Sequence, residues 1–156
     1  LERNLEINGD TPIKMGLETM GKINQLGTLD EVLELCRIDP TFVPVVDFGH
    51  MNARECGGVF NSADDYMRVF DKIDRAISSE VATNLHCHFS KIMFTEMGEK
   101  KHLTFDDSVY GPDFEPLVSA IAKENLSPTI ICESAGTQAQ DAARMQAAYR
   151  AALAAR

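Results

Sequence analysis

FVPVVDFGHMN, residues 42–52, joins an unbroken apolar run to two side chains that bind metals, Asp47 and His50. A valine-rich run of that length is the mark of an interior strand in a parallel sheet, buried on both faces. Three other stretches repeat the design: IKMGL (13–17) ends at Glu18, VATNL (81–85) at His86 and PTIIC (128–132) at Glu133. One acidic residue after a strand says little. Four such ends, each followed by a helix, fall on one edge of a parallel sheet, the edge where α/β proteins carry their chemistry.

The connecting segments read as helices. Thr28 followed by Glu31 is a capping box opening DEVLELCRI (30–38), with Leu29, Val32, Leu33 and Cys36 on one apolar stripe. Ser62 begins a second helix reaching about Ile77, in which Tyr66, Val69, Phe70 and Ile73 recur at helical spacing. Pro112 and Asp113 start FEPLVSAIAKEN (114–125), and an Ala-rich terminal helix runs from about Ala139 to Arg156. Residues 1–7 read as the last turns of an earlier helix and NGDTP (8–12) as a turn. The strands fall at 13–17, 42–46, within 81–92, and at 129–132, with a Gly- and Lys-containing loop after the third.

The fold class is therefore α/β, a parallel sheet with outer helices, in four βα units. A closed (β/α)₈ barrel takes about 250 residues, and the chain has 156. Four parallel strands leave two open edges and an uncovered face. The expectation is a single half-barrel domain over 1–156, completed either by an N-terminal half that the chain lacks or by self-association with a second copy.

Composition fits a folded, water-soluble chain, with 44% hydrophobic and 25% charged residues. No apolar stretch approaches the roughly 20 residues that cross a bilayer, and LERNLEINGD lacks the features of a signal peptide, so the expected location is cytoplasmic, without a membrane. Cys36, Cys56, Cys87 and Cys132 lack CxxC spacing, which argues against a thiolate zinc site or a disulfide framework. Cys87 and Cys132 sit in apolar runs and read as buried free thiols. The net charge of −9 opposes nonspecific binding to nucleic acid, although bound divalent cations would offset it locally.

Asp47 and His50, three apart across a strand end, combine carboxylate and imidazole, a donor set for Zn²⁺, Mn²⁺ or Mg²⁺. In NLHCHFSKI (84–92), His86 and His88 share one strand face while Cys87 points the other way, so at least one imidazole should meet the metal. Glu133 lies where an apolar strand becomes a small-residue turn, and His102 lies in the following-loop stretch EKKHLTF. Lys91, Lys100 and Lys101 near the same edge favour a phosphate-bearing substrate.

Together LETMGK, VVDFGHMN, HCHFSKI, KKHLTF and IICESAG resemble the C-terminal half of the endonuclease IV family, within the xylose isomerase-like group of TIM barrels. The resemblance runs from about Gly16 to Gly136. It implies a zinc-dependent hydrolase that cleaves the phosphodiester beside an abasic site in DNA. In that scheme Glu18 bridges two zincs, Asp47, His86 and Glu133 complete one of them, and His50 and His102 hold a third. Glu18 and Glu133 are the expected catalytic carboxylates; His88, Lys91 and Lys101 are expected to contact substrate.

Two departures stand out. The family places an aspartate two residues before the later histidine, where this chain has Lys100, so Glu99 or Asp106 is left to substitute. Two further zinc histidines belong to the family's N-terminal half, and the chain by itself is expected to show weak or no nuclease activity. The set Glu18, Asp47, histidine, Glu133 also resembles the single-metal site of sugar isomerases and epimerases of the wider group, which implies a sugar or sugar phosphate as substrate. There Glu18 and Glu133 would exchange a proton beside a metal-polarised carbonyl. A catalytically silent, self-associating half-barrel is the third expectation.

Overall fold

In a computed structural model, residues 13–156 are described, and the helix end and turn expected over residues 1–12 lie outside them. Four parallel strands form one sheet in the order β1 (Met15–Glu18), β2 (Phe42–Asp47), β3 (His86–Phe89) and β6 (Thr129–Cys132). Each pairs with the strand before it in the sheet: Glu18 lies opposite Val45, Asp47 opposite His88, and His88 opposite Ile131. Helices α1 (Leu29–Cys36), α3 (Ala63–Ala76), α5 (Glu115–Glu124) and α6 (Gln138–Ala154) connect or flank the strands. The α/β reading and the parallel sheet of four strands thus stand.

Local chemistry explains the boundaries. Thr28 Oγ1 accepts the Glu31 N–H while the Glu31 carboxylate accepts from the Thr28 N–H, closing the expected capping box of α1. Ser62 and Asp65 make the same reciprocal pair at the start of α3. Its Tyr66, Val69, Phe70 and Ile73 are all buried against the sheet. There they meet Phe48, whose ring centroid is 5.2 Å from Tyr66 and 6.3 Å from Phe89. Each such ring removed from water contributes about 1.5–3 kcal/mol. A smaller cluster of Val32, Cys36 and Phe42 packs α1 on β1 and β2. Cys87 and Cys132 are buried free thiols.

Three elements differ from the sequence reading. The third strand is shorter than 81–92, because Ser78 caps a one-turn helix α4 (Ser79–Thr83) by accepting the Val81 N–H. Asp47 does not end in a loop: its side chain caps an additional helix α2 (Phe48–Arg54). Gly49 is what lets α2 sit so close, since a Cβ there would lie 2.6 Å from the Ser90 carbonyl oxygen. The segment read as a Gly- and Lys-containing loop is an antiparallel hairpin, β4 (Ile92–Thr95) and β5 (Gly98–His102). Glycine at 98, with φ +86, supplies the left-handed residue that closes its short turn. Among the described residues, no helix is long and apolar enough to cross a membrane.

Candidate metal centre

Two groups of ligand-type side chains gather at the carboxyl ends of the strands: Glu18, Asp47, His88 and Glu133 form one, His50, Glu99 and His102 the other, each with ligand atoms within 4.8 Å of one another. In the first group each residue comes from or just after a different strand of the parallel sheet. Asp47 and His88 are neighbours in register on β2 and β3. Glu133 directly follows β6, its N–H held by the Phe89 carbonyl at 3.0 Å. Glu18 ends β1 one step lower, opposite Val45, and its longer side chain reaches His88, with Oε1 3.0 Å from Nδ1. Glu133 Oε1 is 3.3 Å from the same nitrogen.

His86 is expected in this group from the family resemblance, and the structure puts His88 there instead. Both do share one face of β3, their rings 5.3 Å apart. Register decides between them: His88 stands beside Asp47 and His86 beside Val45. Two residues along a strand is about 6.6 Å, enough to leave His86 exposed and below the carboxylates.

The second group settles which acid accompanies His102. Strict alternation along β5 would turn Glu99 and His102 to opposite faces. The pairs Ile92–His102, Met93–Lys101 and Phe94–Glu99 leave Lys100 as one extra residue, a β-bulge. That extra residue restores the parity, so Glu99 and His102 face the same way and both lysines point to solvent. Glu99 then lies with Oε2 3.4 Å from His50 Nε2 and Oε1 3.7 Å from His102 Nε2. Asp106, the other candidate, pairs instead with Arg144 at 2.8 Å.

The histidines of this group are oriented from behind. His50 Nδ1 is 2.9 Å from the Thr19 carbonyl, and His102 Nδ1 is 2.8 Å from Ser90 Oγ. Contacts of that kind fix the ring and aim the other nitrogen at a cation, the habit of metal-ligating imidazoles. Thr19 and Ser90 carry no signal of their own in the sequence beyond lying next to Glu18 and two residues past His88. The groups also touch: His50 Nδ1 lies 3.4 Å from Glu18 Oε1, and His102 Nδ1 3.9 Å from Glu133 Oε2.

Electrostatics show what is wanted there. Burial holds the Asp47 carboxyl above its ordinary range, against the lowering effect of His50. Its Oδ2 is buried and, among the described residues, has no hydrogen-bond partner. Glu18 is held low, chiefly by its hydrogen bond with His50, with His88 adding to it. For His50, burial works against the charged ring, but Glu18, Asp47 and Glu99 outweigh it and push it up to about 9. Four carboxylates converging with an unsatisfied buried oxygen fit positive charge between them, and carboxylate–imidazole donors suit Zn²⁺, Mn²⁺ or Mg²⁺.

The lysines divide. Lys101 and Lys100 are exposed on β5. Lys91, expected to contact substrate, is buried, with Nζ 2.6 Å from the Asp107 carbonyl and 2.8 Å from Asp113 Oδ1. Its ammonium ties the 105–113 loop to the end of β3.

No known protein-family profile matches the chain. It is 32% identical over 117 residues to the uncharacterized protein MJ0133 of Methanocaldococcus jannaschii, a match covering 75% of this chain and 41% of that protein. The matched part is thus well under half of the relative's length.

Proposed function

We propose that the sheet is four βα units of a TIM (β/α)₈ barrel and that its carboxyl edge is the metal centre of an endonuclease IV-like hydrolase, cleaving the phosphodiester beside abasic sites in DNA. The observation that carries this reading is the contact between two ligand groups, Glu18, Asp47, His88 and Glu133 against His50, Glu99 and His102. A multi-cation edge is what phosphodiester hydrolysis uses and a one-metal sugar site does not need. Divalent cations held there, zinc being the first candidate, would polarise phosphoryl oxygens and make water a nucleophile near neutral pH.

The chain's own residues would do the rest. Glu18, touching both His88 and His50, is placed to be shared between the two groups. Glu133, less buried than Asp47, sits where a carboxylate could orient the attacking water. Asp47 contributes fixed negative charge in a dry setting, and His102 faces the same space from β5. Exposed Lys101 suits the DNA backbone.

A second reading keeps the first group alone. Three carboxylates and one imidazole on neighbouring strands can hold a single cation for a sugar isomerase or epimerase, with Glu18 and Glu133 exchanging the proton. The outer edges of β1 and β6 carry no further strand among the described residues, so either chemistry could require a partner half or a second copy. The test is a duplex oligonucleotide with one abasic site, incubated with the Zn²⁺- or Mn²⁺-loaded chain. Nicking beside that site, abolished by Glu133→Gln, supports the hydrolase. Interconversion of aldoses and ketoses without nicking would replace it with the isomerase.

A further inference from the structure

Arg54, the last residue of α2, spends its guanidinium on main chain rather than on a carboxylate. The two hydrogens of Nη1 are shared among the carbonyls of Lys22 at 2.6 Å, Gln25 at 3.0 Å and Met20 at 3.2 Å, and Nη2 donates to that of Ile23 at 3.2 Å. Four acceptors within six residues belong to one loop, 19–27, between β1 and α1. Two nitrogens fixed in one plane reach all four carbonyls; an ammonium presents a single nitrogen and no fixed plane.

That loop is also where the second ligand group is assembled. Thr19 offers its carbonyl to His50 Nδ1 and its hydroxyl accepts the Asp47 N–H at 2.9 Å. The Gly21 carbonyl accepts the Glu99 N–H at 2.9 Å, and Ile23 donates to the Met97 carbonyl at 3.3 Å, which docks the β4–β5 hairpin. Glycine is required at 21, where a Cβ would lie 2.6 Å from Glu99 Cβ and 2.9 Å from its Oε2. One loop thus fixes His50 from one side and Glu99 from the other, and it is tied down by a side chain outside both groups.

We infer that Arg54 is a positioning residue: by clamping loop 19–27 it sets the separation of His50 and Glu99, and with it the ability of the second group to hold a cation. The inference rests on the two-cation reading for its consequence, but the clamp is measurable without any metal. The first group is placed by the sheet register and by Glu133 beyond it, and it meets the loop at Thr19, whose N–H is itself held by the Val45 carbonyl of β2 at 3.1 Å, so it depends on the clamp less than the second group does.

The experiment compares wild type, Arg54→Ala and Arg54→Lys by titration with Zn²⁺ and by amide hydrogen exchange of the metal-free chain. Arg54→Ala is expected to bind one cation where wild type binds two, and to exchange the Ile23 and Glu99 amides at least about tenfold faster while those of Val46 and Phe89 stay slow. Lysine at 54 should restore little of either, as a bare charge cannot reach four carbonyls. Two cations held at wild-type affinity by Arg54→Ala, or full rescue by lysine, would overturn the inference. If wild type itself takes up fewer than two cations, the two-cation reading fails. The exchange rates then decide the clamp alone: acceleration at Ile23 and Glu99 upholds it, and unchanged rates overturn it.

Discussion

Asp47 Oδ1 accepts the backbone N–H of His50 at 2.7 Å, which leaves Oδ2 of the same carboxylate buried, 3.6 Å from the His50 ring nitrogen and, among the described residues, without a hydrogen bond. One residue therefore caps α2 and directs a bare oxygen at the space between the ligands. The first task stabilises the fold, whereas the second, a buried charge without a hydrogen-bond partner, costs it stability.

Replacing that carboxylate separates the two tasks. Asp47→Asn keeps the capping oxygen and removes the buried charge, so the metal-free chain should gain about 1–3 kcal/mol at neutral pH while cation uptake at the first group is lost. The sign with pH follows from the raised native pKa. A carboxyl that holds its proton more tightly when folded favours the fold below its ordinary value of 3.8 and ceases to as pH rises through the native value. The advantage of asparagine should accordingly vanish in acid and grow toward neutral pH. Chemical denaturation of the metal-free pair at several pH values measures it, and an asparagine variant less stable at neutral pH would contradict the assignment.

The two histidines of β3 should behave unequally. Losing a supporting residue behind a metal ligand costs about 10–100-fold in affinity, so loss of His88 itself should cost at least about a hundredfold. His86→Ala should shift affinity by less than about threefold, since the ring stands beside Val45 rather than Asp47. Isothermal titration with Zn²⁺ compares them, and equal losses would return His86 to the ligand set.

The bulge gives a test by deletion. Removing Lys100 would erase the bulge yet leave Glu99 and His102 two apart, on one face of a regular strand, and Lys100→Ala would keep the bulge itself. Both variants should therefore retain binding at the second group, whereas Glu99→Gln should lose it. Retention of binding by Glu99→Gln would mean that Glu99 is not a ligand.

Lys91 and Lys101 should also part company. With its Nζ held by the Asp107 carbonyl and Asp113, Lys91→Met should lower stability by about 1–2 kcal/mol with little change in the affinity for DNA once folded. Lys101→Ala should leave the melting temperature unchanged and weaken DNA binding in a salt-dependent way. Melting curves and binding isotherms at two salt concentrations distinguish the roles.

What the sequence revealed, and what it hid, follow from the range of the interactions. The caps at Thr28 and Ser62 and the strand Thr129–Cys132 are local patterns, and each lies where the residues put it. The gathering of Glu18, Asp47 and Glu133 was legible because the ends of parallel strands share an edge. The choice between His86 and His88 was not, since both occupy one face and only the register with β2 sets their height. Glu99 was named beside Asp106, but the choice between them was hidden by a bulge that reverses the parity of β5, and the setting of Lys91 by partners 16 and 22 residues away whose carbonyl and carboxylate no motif announces. Helix α2 escaped because FGHMNAR continues directly from a strand, with Asp47, read as a ligand, serving as its cap.

The most direct measurement is the number of divalent cations bound per chain, by elemental analysis after Zn²⁺ loading and desalting, in wild type, Asp47→Asn and Glu99→Gln. Two ions in wild type and one in each variant would match the two adjacent ligand groups. No ion in wild type, or two ions retained by both variants, would contradict a metal centre at this edge of the sheet.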